Sequence, residues 1–298
     1  MTKGRIFVSV PIDDHLDDRR RGLKSAILRL VEQRGYEPQQ FLVSGIPAGM
    51  SWNFEAVDSV MRRCRGAIIL AFPRWTFAGE PGEIRFPTEY NHYEGALANA
   101  YALPTLTIAE KGIVDRGIAW NGGGSPILWA PADATADWLS SESFKHRYGI
   151  WMEAVQARRD VFLGYCSQAK STAQEIHLFL TETLGLTVMN WSMDFSAGGT
   201  ILEEIERAAQ LCTCGVFLFT KDDLLESGSE SQAAPRDNVV FEAGYFVSAK
   251  GKERVLVIRE RGAKMPADIG GNIFLQLNDR HDTSAIQTPL RSFLEKRL

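Results

Sequence analysis

The chain alternates between two hydrophobic rhythms, and it does so twice. Arg5-Ile-Phe-Val-Ser-Val is a short β-branched run that reads as a strand. From Arg19 to Arg34, Leu23, Ile27, Leu30 and Val31 recur at helical spacing, and Gly35 follows where a helix C-cap is expected. A helix from Ser51 to about Arg63, a strand from Cys64 to Phe72, a helix over Thr88–Asn99 and a strand from Pro104 to Ala109 complete this order. Ser140–Arg158 reads as a closing helix. The second half repeats the pattern. Asp160–Tyr165 is a strand, Ser171–Leu184 a helix closed by Gly185, and Leu186–Met189 a short strand. Thr200-Ile-Leu-Glu203 is a capping box, because Ser/Thr with Glu three residues on satisfies two orphan helix donors. That helix feeds the strand Val216–Phe219. A helix over Val239–Ala249, a strand Arg254–Ile258 and a last helix with Pro289 at its first position follow.

Strands alternating with helices specify βαβ units, hence parallel sheets covered on both faces. The fold class expected is therefore α/β, with two tandem flavodoxin-like domains over 1–157 and 158–298. The Gly-rich piece after Trp120 is read as a loop within the first of them. The halves also match residue by residue. Cys64 precedes Glu94 by 30 residues, and Cys212 precedes Glu242 by 30. An aromatic stands before each glutamate, Tyr93 and Phe241, and a proline seven positions before it, Pro87 and Pro235.

Composition narrows the class. The 298 residues are 45% apolar and 23% charged, ordinary for two globular domains. A net charge of −4 gives no electrostatic footprint for nucleic acid, and Arg19-Arg20-Arg21 lies beside Asp13, Asp14, Asp17 and Asp18, as on a solvated helix face. No run approaches the ~18 apolar residues of a membrane span. The first residues run directly into a strand, so no leader is expected. Cys64, Cys166, Cys212 and Cys214 lack zinc-site spacing and fit a reducing cytoplasm. No metal and no resident cofactor are expected.

Open parallel sheets bind ligands beyond the carboxyl ends of their strands. Tyr165, Trp191 and Asp222 follow three predicted strands of the second half, and the segment from Ser227 leads through Arg236 and Asn238 to Glu242. No Gly-x-Gly-x-x-Gly fingerprint and no P-loop is present. Bland readings stand beside the functional ones. A glutamate in the first turn of a helix is favoured by the macrodipole alone. Arg236 can pair with Asp237, Trp191 can pack, and Asp222 and Asp223 can cap a turn.

The run Pro235-Arg-Asp-Asn-Val-Val-Phe-Glu-Ala-Gly-Tyr-Phe, with Gly198-Gly199-Thr200-Ile-Leu-Glu, Phe219-Thr-Lys-Asp-Asp and Pro266-Ala-Asp-Ile-Gly-Gly, resembles the bacterial TIR-like domain of antiphage effectors in cyclic-nucleotide signalling systems. The resemblance covers roughly Asp160 to Leu277. It implies cleavage of NAD⁺ at the nicotinamide–ribose bond, activation by a nucleotide second messenger, and homo-oligomeric assembly. It maps the catalytic glutamate onto Glu242, with Tyr165, Trp191, Asp222, Arg236 and Asn238 as substrate-binding candidates. The first half, through Pro87-Thr-Glu-Tyr-Asn-His-Tyr-Glu94, is similar to the same family and to nucleoside 2-deoxyribosyltransferases. It departs from the motif, with Thr88 in place of Arg236 and Tyr90 in place of Asn238. Glu94, Asn91 and Tyr90 mark a second site there, read as a nucleotide sensor, a glycosidic centre or a degenerate copy. Two rivals remain at this level: a nucleoside or nucleotide N-glycosidase or deoxyribosyltransferase, and a non-enzymatic scaffold.

Overall fold

The computed structural model describes residues 4–41, 53–79, 82–122, 127–190, 200–227, 230–267 and 274–298. The chain divides into two compact units, 2–157 and 158–298.

In the first unit, β1 (Arg5–Ser9), β2 (Glu37–Gln39), β3 (Cys64–Ala71), β4 (Trp75–Ala78), β5 (Glu83–Phe86), β6 (Thr105–Glu110) and β7 (Ile127–Ala130) follow in order. Five of them form an all-parallel sheet, β2-β1-β3-β6-β7, the flavodoxin-like order. Alternation along its strands divides the core into two layers. Ile6, Val8, Ile68, Leu70 and Ile108 pack against Leu23, Ile27 and Val31 of helix Asp18–Gln33 and against Trp151, Met152 and Val155 of helix Glu142–Ala157. Phe7, Ala67 and Ile69 face the other way, onto Val57 and Met61 of helix Phe54–Met61 and Ala98 of helix Glu89–Ala100.

The second unit repeats the plan with β8 (Arg159–Gly164), β9 (Val188–Asn190), β10 (Cys212–Phe219), β11 (Asp223–Ser227), β12 (Glu230–Ala234), β13 (Val255–Glu260) and β14 (Phe274–Leu277). Its parallel sheet runs β14-β13-β10-β8-β9. Read from the other edge, this is the same topology. The register repeats as well: Cys64 pairs with Arg5 and Cys212 with Arg159, while Ser9 faces Ile69 and Gly164 faces Phe217. All four cysteines are buried thiols.

The duplication extends to a feature that periodicity did not reveal. Antiparallel hairpin β4–β5 stands between β3 and helix Glu89–Ala100, and hairpin β11–β12 stands between β10 and helix Asp237–Lys250. The stretch before the Glu242 helix is thus largely a two-stranded ribbon.

The capping box expected at Thr200 is formed, and a second stands at Thr88. Thr200 Oγ1 accepts from Glu203 N at 3.2 Å while Glu203 returns to Thr200 N, and Thr88 does the same with Asn91. Two helix starts differ from expectation. The last helix begins at Ser284, so Pro289 is interior rather than first. The buried stripe Ile286, Leu290 and Leu294 outweighs the one backbone bond that proline forfeits. The helix carrying Glu242 begins at Asp237, with Arg236 as its N-cap, rather than at Val239.

Candidate functional site

That earlier start moves Glu242 to the sixth helical residue, in the second turn. The macrodipole fades within the first turn, so it does not account for a carboxylate here. The buried face of this helix is Val239, Glu242, Ala243 and Phe246, the i, i+3, i+4, i+7 stripe that normally holds apolar side chains. Sequence periodicity therefore turns the one carboxyl of that stripe into the protein. Glu242 is only 7% exposed.

Below it lies an apolar floor. Phe162, Phe217 and Phe246 form a ring cluster, with Phe162 and Phe246 stacked at 4.9 Å and Phe217 edge-on to Phe246 at 5.3 Å. Gly164, the last residue of β8, leaves space for the carboxyl. A Cβ there would stand 3.0 Å from Glu242 Oε2 and 2.5 Å from the Phe217 ring. Oε2 is sealed from solvent and has no hydrogen-bond partner among the described residues. Burial without a compensating donor pushes the Glu242 carboxyl up to about 7.

The residue lines a cavity of about 390 Å³ together with Tyr165, Cys166, Ser167, Arg236 and Asn238. Tyr165 and Cys166 follow β8, and β8 neighbours β10 where the strand order reverses, so the cavity stands at the topological switch point. The structure thus brings four of the predicted residues, Tyr165, Arg236, Asn238 and Glu242, to one hollow. Tyr165 is held by its hydroxyl, which donates to Asn190 Oδ1 at 2.9 Å. The Cys166 thiol is pushed up by burial and, less strongly, by Asp222.

Asp222 is not a wall residue of this cavity. It accepts from Thr220 Oγ1 at 2.7 Å, and its other oxygen faces Arg236 N at 3.4 Å, so it braces the rim. Arg236 pairs with Asp223 at 3.3 Å, not with Asp237. Trp191 lies outside the described residues. Sequence reading missed Glu260 at the end of β13. Buried to 5%, it accepts from Lys221 N and bonds Arg280, and these partners hold its carboxyl below the usual range against the upward push of burial. It fastens the segment after β10. The signal was available in the strand that follows the apolar run Val255–Ile258 through Arg259 to an acid, Glu260, at its terminus.

In the first unit, Glu94 and Tyr90 line an equivalent cavity of about 410 Å³. Asn91 does not line it. It is fully buried, closing the Thr88 capping box and donating to Ser9 Oγ at 2.8 Å. Ser9 and Asn91 occupy the positions of Gly164 and Val239, so a polar pair replaces the open apolar wall of the second unit.

The strand order and the switch-point cavity define a doubly wound α/β domain. Within that class, residues 160–279 match the family described as CAP12/Pycsar effector protein, TIR domain. The same region is similar to the CD-NTase-associated protein 12 of Sphingobacterium faecium, 32% identical over 38% of this chain and 35% of that protein. It is 35% identical to the protein of that name from Flavobacterium daejeonense, over 37% of this chain and 35% of the relative. The Pycsar effector protein BcPycTIR of Burkholderia cepacia is 30% identical over 48% of this chain and 50% of its own length. The chain thus spans half or less of the length of these relatives. Among the described residues no group of side chains could hold a metal ion, and no helix is long and apolar enough to cross a membrane.

Proposed function

We propose that the 158–298 unit cleaves the nicotinamide–ribose bond of NAD⁺ as an NAD⁺ nucleosidase, in an antiphage-type TIR effector. The observation that carries this reading is the buried Glu242 carboxyl, unpaired at Oε2, in the wall of the switch-point cavity.

The chemistry fits a single carboxylate. Nicotinamide in NAD⁺ is cationic, so the C1′–N bond breaks with its electron pair going to the ring, and the base leaves neutral without a general acid. Positive charge develops at C1′, as in other glycosyl transfers. An ionised Glu242 in an apolar setting offsets that charge strongly, because little solvent screens it. A cationic substrate in the cavity draws the carboxyl toward its charged form. Water then adds at C1′ and gives up a proton, leaving ADP-ribose. Arg236, at the cavity and half exposed, exchanges Asp223 for the pyrophosphate, a partner that guanidinium engages well. Tyr165 supplies an aromatic wall, and Asn238 a polar group for the ribose.

Activation by a nucleotide second messenger and assembly of copies belong to the same proposal. Ile201, Leu202, Leu224 and Phe241 support assembly, being 47–72% exposed on the second unit.

The test is nicotinamide release from NAD⁺ by the full chain, alone and with a panel of cyclic nucleotides. Release that falls about 100-fold or more in Glu242→Gln is expected. Full activity in that variant, or base release from deoxynucleosides with NAD⁺ untouched, would overturn the reading.

A further inference from the structure

We propose that the cavity of the 2–157 unit is a binding site for a mononucleotide, which it retains and does not cleave. The proposal goes beyond the reading of Glu242 and does not depend on it. The cavity, about 410 Å³, lies beyond the carboxyl end of β1 and is within the size range of small-molecule sites. Its wall combines three kinds of group that a nucleoside phosphate needs together.

The first is cationic. Arg74 lines the cavity half-buried and makes no ion pair among the described residues, and its guanidinium lies 4.5 Å above the Trp75 ring. Lys24 lines it too, 7% exposed, with its ammonium 2.8 Å from Asp13. Arg74, half-buried and without an acid, is the anion-seeking group, and Lys24 joins it by exchanging Asp13 for the ligand. Thr88 at the cavity is the N-cap of helix Glu89–Ala100, whose positive end reinforces them. The second kind is aromatic. Phe41, Trp75 and Tyr90 share the wall, and Trp75 is fixed by its indole N–H donating to Glu89 at 3.0 Å. Such rings give a nucleobase a stacking surface. The third is acidic: Glu94, 5% exposed, offers acceptors to ribose hydroxyls.

The second unit's cavity differs in kind. It has one cation, Arg236, already paired with Asp223, and its acid stands against an open apolar floor. In the first unit Ser9 fills the place of Gly164 and bonds Asn91. That polar pair removes the glycine gap that accommodates the Glu242 carboxyl, which is why binding without cleavage is assigned here.

The experiment is isothermal titration of the full chain carrying Glu242→Gln, which keeps the second site from consuming ligand. The probes are the 5′-mononucleotides and the 3′,5′-cyclic mononucleotides of the four bases, with their parent nucleosides as phosphate-free arms. At least one mononucleotide is expected to bind with one site per chain, at least about tenfold more tightly than its nucleoside. Arg74→Ala and Trp75→Ala, both at partly exposed positions that the fold tolerates, are each expected to weaken it about tenfold or more. Which series binds tells a cyclic messenger from a linear metabolite. Absence of binding by every mononucleotide overturns the inference. So does binding unchanged in both variants, a nucleoside that binds equally well, or release of free base from the bound nucleotide. A chain that releases nicotinamide yet binds no mononucleotide defeats this inference and leaves the reading of Glu242 standing.

Discussion

Gly164 and Glu242 share one small volume: a Cβ on the glycine would lie 3.0 Å from the carboxylate Oε2. The same Cβ would press 2.5 Å from Phe217, a ring pinned by Phe162 and Phe246 and therefore unable to yield. Gly164→Ala is expected to cost about 1–3 kcal/mol of stability through overpacking. It should also displace the carboxyl, so nicotinamide release falls further than the thermal midpoint alone explains. A variant with unchanged midpoint and unchanged release would refute this packing.

The acid at 242 weakens the fold it sits in. Its folded value, about 7, lies above the unfolded value of about 4.5. Between these the unfolded chain has lost the proton while the folded chain keeps it, so stability falls as pH rises from 4.5 to 7 and is level above. Glu242→Gln removes this penalty. The variant is expected to be more stable than the parent at pH 8, by on the order of 2–3 kcal/mol, with the gap closing toward pH 4.5. Urea denaturation at the two pH values measures it, and a gap that stays constant with pH contradicts the assignment.

Catalysis should carry the opposite signature. Only the ionised carboxylate offsets charge at C1′, so kcat/KM for nicotinamide release is expected to climb with pH and inflect near 7. A profile flat from pH 5.5 to 8.5 would show that some other group governs the step.

Glu260 is the structural counterweight. Glu260→Gln leaves Arg280 and Lys221 without their acid; both cations are partly exposed, so the expected loss is about 1–3 kcal/mol, the range of a hydrogen bond to a charged group. Because its carboxyl titrates low when folded, the contribution is full above the unfolded value and vanishes as pH falls through the folded one. The parent and Glu260→Gln should therefore differ most at neutral pH and converge in acid. Equal stabilities at pH 7 would remove Glu260 from this role.

Much of this was legible in the chain. Most of the strand and helix order came from periodicity, with the edge strands β2, β7 and β14 unread, and Thr200 was placed as a cap by local chemistry that tertiary context did not override. The matched spacing of Cys64–Glu94 and Cys212–Glu242 became a matched strand register. Three further features were not legible. The hairpins β4–β5 and β11–β12 are solvent-exposed ribbons, so no buried face imposed a strong alternation on them. The start at Asp237 follows from backbone geometry after Pro235, and a pattern of apolar residues marks only the later Val239. Asn91 looked like a pocket group because it is polar near a helix start. Its bond to Ser9, 82 positions earlier, is visible only once the strands are laid side by side.

An acid that holds its proton in a greasy recess is a handicap to any protein that does not use it. Neutral drift would exchange Glu242 for glutamine or leucine and gain robustness at a stroke. A descendant freed from the chemistry should shed this side chain early, while Glu260, which braces the scaffold, would outlast it.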